Sequence, residues 1–106
     1  MKYFGISLLV FLFVACAVQL KAPTAVDAER GVSRWAGYDS LKLAEGFFIY
    51  KNKCIHCHNL HLPKEFTEEK WNTIIPKMAV KAKLTDEQKD WVHKYVLVMA
   101  AASMNK

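Results

Sequence analysis

Gly46-Phe47-Phe48-Ile49-Tyr50-Lys51-Asn52-Lys53-Cys54-Ile55-His56-Cys57-His58 is the stretch on which the fold turns. Its last five residues hold two thiols three positions apart, with an imidazole directly after the second. Its first part belongs to a longer apolar pattern made by Leu41, Leu43, Ala44, Phe47, Phe48 and Tyr50. That spacing predicts a helix buried on one side, starting after Asp39 or Ser40 and running to about Asn52. Either of those residues can cap the exposed amides of the first turn. The paired thiols therefore lie at the end of a helix.

A Cys-x-x-Cys pair has several chemical uses, and the surroundings weigh between them. A redox dithiol of the thioredoxin kind wants a βαβ setting, and no run of this sequence shows convincing period-two alternation. A structural zinc site wants four ligands, usually with a second cysteine pair. Here only His56, His58, His61 and His93 remain to assist. A disulfide between Cys54 and Cys57 closes too short a loop to contribute much. Covalent haem attachment uses the whole motif: Cys54 and Cys57 reach two vinyl groups on one side of a porphyrin, and His58 stands beneath the iron. The sequence is read in that last way, with one haem c per chain.

Two further helices follow. Thr67 can cap the first, with Glu68 and Glu69 favourable against the helix dipole. Trp71, Ile74, Ile75 and Met78 then recur at helical spacing, and Pro76 is expected to kink or break the helix just before Met78. Thr85 and Gln88 form a capping-box pattern ahead of Trp91, Tyr95, Val98, Met99 and Ala102. The expected fold is all-α, with three main helices. A core this small is marginal unaided, and a covalently held haem would complete it.

The N-terminus looks processed. Lys2 is the sole charge before Lys21, and Tyr3 to Leu20 form an apolar or uncharged run of 18 residues. With Ala15, Cys16 and Ala17 at its end it reads as a secretory signal, and its length also reaches the lower limit of a membrane span. Cys16 is the third of three cysteines, an odd number for an exported chain. Phe13-Val14-Ala15-Cys16 resembles the lipobox of bacterial lipoproteins, with Phe13 where Leu is usual. Lipidation of Cys16 is expected, against the alternative of cleavage after Ala17. The expected division is a signal over 1–16, a flexible tether over 17–33 and the folded domain over 34–106. Lys and Arg number 15 against 10 acidic residues, with no block of like charge, so nucleic acid is not an expected partner.

The stretch from Gly46 to Cys54, with the motif after it, resembles the first helix of the monohaem class I cytochromes c. Leu60, Pro63, Phe66, Thr67, Trp71, Met78 and Leu84-Thr85 resemble a subgroup of small bacterial members, so the likeness covers residues 34–100. It implies that Gly46 lets the last helix cross closely, with Gly46 and Tyr50 meeting Trp91 and Tyr95. It also implies Met78 as the sixth ligand, a residue that follows Pro76 and lies 20 positions after His58. The other candidates are Met99, Met104, His61 and His93. Met99 shares the Trp91/Tyr95 face, Met104 is almost terminal, His61 is too close to His58, and His93 flanks the packed face. Trp35, Phe66, Trp71 and Ile74 are expected to wall the haem, and a main-chain carbonyl near Leu62 or Pro63 to orient the second nitrogen of His58.

The function expected from this is one-electron transfer, not catalysis, by a periplasmic carrier held to the membrane by a lipid or anchor. Its partners would be a donor and an acceptor protein, with Lys51, Lys53, Lys77, Lys81 and Lys83 placed to orient an acidic one. The alternatives are a haem-based small-ligand sensor, if Met78 does not bind, and a subunit of a respiratory complex.

Overall fold

The computed structural model describes residues 20–54 and 61–104. They form four α-helices, α1 (Ala25–Arg34), α2 (Ser40–Lys53), α3 (Glu68–Lys81) and α4 (Asp86–Met104), with a 3-10 turn over Pro63–Glu65. No strand occurs among the described residues, so the fold is all-α.

Local chemistry sets three of the helix starts. Asp39 accepts the Lys42 amide at 2.9 Å and Thr67 accepts the Lys70 amide at 3.2 Å. Thr85 and Gln88 exchange bonds of 3.0 and 3.1 Å, side chain to main chain in both directions. Each cap satisfies a donor that the helix leaves unpaired, which is worth about 1 kcal/mol.

The segment expected to be a flexible tether is not one where the structure describes it. Residues 25–34 are helical, and the Thr24 and Asp27 side chains complete a capping box. Asp27 is buried, accepts the Thr24 amide at 2.7 Å and pairs with Arg30. The helix packs on α4 and α2. Gly31 makes this possible, since a Cβ there would come within 2.7 Å of Tyr38 Cδ2. Apolar periodicity is a poor guide here, because the inward face is built from Asp27, Ala28 and Gly31. The packed domain reaches back to Leu20, which lies against the core, and to Lys21, whose carbonyl accepts the Tyr95 hydroxyl at 3.4 Å.

Pro76 does not break its helix. The α3 helix runs through it to Lys81. Lacking an N–H, Pro76 leaves the Asn72 carbonyl without its usual donor, and the helix accepts that single loss. The end of α3 is a Schellman turn: Leu84 N–H bonds the Ala79 carbonyl at 2.9 Å and Lys83 N–H bonds that of Val80 at 3.2 Å. Lys83 adopts the left-handed conformation this turn requires, with φ of 56°.

The core lies between α2, α3 and α4. Leu43, Tyr50, Trp71, Ile75, Val92, Tyr95, Val96 and Val98 are its largest fully buried side chains. The α2–α4 contact is the most extensive of the fold. It carries the site.

Candidate functional site

At the crossing of α2 and α4, Gly46 meets the main chain of Trp91. A Cβ on Gly46 would strike the Trp91 carbonyl oxygen and lie 2.8 Å from Tyr95 Cβ. One turn further, the Tyr50 ring stands 5.8 Å from that of Tyr95 and 6.2 Å from that of Trp71. These are the meetings expected of Gly46 and Tyr50. Cys54 follows one turn after Tyr50, bonds its carbonyl through the main-chain amide, and is 3% exposed. The α2 helix thus delivers the first thiol of the motif into the core.

Cys57 and His58 lie outside the described residues, as does Cys16. The chain that resumes at His61 is tied back to the same core. The Tyr50 hydroxyl donates to the His61 carbonyl, and the Trp71 indole N–H donates to the Pro63 carbonyl at 2.7 Å. Residues 55–60 are therefore bounded by two packed points, Cys54 and His61. Burial raises the Tyr50 phenol above its ordinary range, with Cys54 and Glu65 adding to the effect and the bond to His61 opposing it. Of the carbonyls expected to orient His58, that of Pro63 already takes the Trp71 indole, which leaves it one lone pair.

The apolar side chains around this point come from the turn and from α3. The Phe66 ring packs 5.2 Å from Trp71 and 5.1 Å from His61. Ile74 and Met78, one helical turn apart, are half-buried and rest against the core. Trp35, expected to join them, sits at the joint of α1, α2 and α4. Its ring is 5.4 Å from Tyr38, with Arg34 and Lys94 at 4.5 and 5.5 Å.

The rival sixth ligands are otherwise engaged. His61 Nδ1 lies 3.3 Å from Glu65 Oε2, and His93 Nε2 pairs with Asn72 Oδ1 at 2.6 Å. Met99 is half-buried against the core. The Met104 side chain lies outside the described residues. Among the described residues there is no cluster of three or more His, Cys, Asp or Glu able to hold a metal ion. What remains around the motif is a buried thiol, a second thiol and an imidazole next to it in sequence, and a half-buried thioether on α3. That donor set fits a covalently attached haem, with Cys54 and Cys57 for attachment and His58 and Met78 for the iron.

Sequence reasoning missed the Asn72–His93 bond and the partners of the Tyr50 and Trp71 tips. A buried tyrosine or tryptophan signals that a partner exists without naming it. Comparison with known protein families, with curated proteins and with solved structures finds no match.

Proposed function

We propose that this chain is an exported electron carrier of the small class I cytochrome c type, with one haem held by Cys54, Cys57, His58 and Met78. The observation that carries the reading is the approach of Gly46 to Trp91 and Tyr95 on the helix that ends at Cys54. Glycine is needed there for packing, and the thiol motif follows it on the same rigid element.

When bound, the haem supplies a one-electron ferric–ferrous couple, whose potential His/Met ligation raises relative to bis-His ligation. The chain's own residues do the rest. Tyr50 and Trp71 fix the return of the chain after the motif, while Phe66, Ile74 and Trp71 keep water from one side. With both axial positions taken by His58 and Met78 no substrate site is left, so no residue is assigned a catalytic role. Lys51, Lys53, Lys77, Lys81 and Lys83 are exposed, and would orient an acidic redox partner and raise its rate of encounter. Periplasmic placement rests on the apolar run at residues 3–20, and lipidation on the third thiol, Cys16.

Optical spectra of the haem-loaded protein test this reading. The ferric form is expected to show the weak far-red charge-transfer band of thioether ligation, and Met78→Ala to abolish it. Absence of the band, with ready binding of carbon monoxide by the ferrous form, would overturn the carrier and favour a ligand sensor.

A further inference from the structure

We propose that Asn72 and His93 form a clamp that positions Met78, an inference that rests on Met78 being the sixth ligand. Met78 lies two residues beyond Pro76, the point at which α3 lacks a main-chain bond. A helix with such a gap can bend there, and a bend would carry Met78 with it. The two halves of α3 are held differently. Trp71, ahead of the gap, is fixed by full burial and by its indole bond to Pro63. Behind the gap, Ile75 and Ala79 are buried, and the Schellman turn at Lys83 fastens the end of the helix.

Asn72 is the residue whose main-chain carbonyl Pro76 leaves without a helical donor, and its side chain reaches across to α4. There Asn72 Oδ1 lies 2.6 Å from His93 Nε2. An amide oxygen only accepts, so His93 carries its proton on Nε2 and donates. This bond ties α3 to α4 at the position where the helix has lost its own restraint. The angle at which the following turn presents the Met78 thioether is set between this tie and the Lys83 turn. Neither Asn72 nor His93 touches the iron in this account; both act through Met78. Supporting residues of this kind typically change ligand affinity by about 10–100-fold when removed.

The test uses the haem-loaded full chain and follows the far-red band as pH is raised, together with the reduction potential. Asn72→Leu and His93→Leu are expected to lose the band at a pH about one unit lower than wild type, a roughly tenfold weaker ligation. Their potentials should fall with it. His93→Gln, whose amide can still donate to Asn72, should behave as wild type. Far-UV circular dichroism reports whether the helices persist, and should either leucine variant fail to fold, His93→Ala against His93→Gln gives the same comparison. If the variants keep the wild-type band, pH profile and potential, the clamp does not position Met78. If Gln fails to rescue, the bond is not the operative contact and the proposal falls. A wild-type protein with no such band refutes Met78 ligation itself, and is recognised before any variant is made.

Discussion

The α-carbon of Gly46 lies against the main-chain carbonyl of Trp91, so closely that no side chain fits between α2 and α4 at this point. The obstacle is backbone, which cannot rotate aside as the end of a flexible side chain can. Around it Phe47, Tyr50 and Tyr95 pack ring to ring, with Phe47 and Tyr95 at 5.6 Å and Tyr50 and Tyr95 at 5.8 Å. Loss of this approach would disturb the largest helix contact and the element carrying Cys54.

Gly46→Ala is therefore expected to destabilise the fold by about 3 kcal/mol, the upper end of overpacking penalties, despite alanine's better helix propensity. Denaturant unfolding of the haem-loaded protein measures it. A loss below that of an ordinary surface substitution would show that the crossing is loose.

Lys83 offers the opposite case. It pays for a left-handed conformation that glycine adopts without strain, and its side chain is exposed. Lys83→Gly is expected to stabilise the protein by about 0.5–1 kcal/mol, with its gain in the folded state partly offset by the freer unfolded chain. Thermal melts of the two proteins side by side decide it, and a lower melting temperature for the glycine variant would contradict the turn.

The buried phenols set the alkaline limit. Burial is the first cause of raised values at Tyr38, Tyr50 and Tyr95, with nearby Asp90, Cys54 and Tyr50 respectively adding to it. The folded state therefore holds these protons where an unfolded tyrosine, with its value of about 10, gives them up. Their contribution is complete below that value and declines as pH rises from there towards the raised folded values. Each phenol should steepen the decline by at most about 1.4 kcal/mol per pH unit. Unfolding free energies on either side of pH ~10, with phenolate absorbance followed in parallel, are the measurement. Ordinary titration of all three in the folded protein would refute it.

Much of this fold could be read from sequence because much of it is local. Asp39, Thr67 and Thr85 each cap within three residues of themselves, so composition and spacing suffice. The α1 helix escaped because its buried face uses a satisfied carboxylate and a glycine in place of large apolar groups. Its cap of Thr24 and Asp27 was the available signal. Pro76 misled in the other direction, since the rule that proline stops a helix ignores the burial of Ile75 and Ala79 that carries α3 past it. At the site, Cys54 and Met78 stood out by residue type. The Asn72–His93 pair did not, because a contact between residues 21 positions apart depends on how two helices are packed.

The docking of α1 alters the distance over which the protein could work. A flexible strand over residues 17–33 would let the domain range up to about 60 Å from its attachment point. With Leu20 already seated on the core, a lipid on Cys16 would leave a leash of at most about 15 Å. A domain held so closely would sweep a thin layer next to the bilayer. Its exchange partners would then have to reside in that layer or enter it.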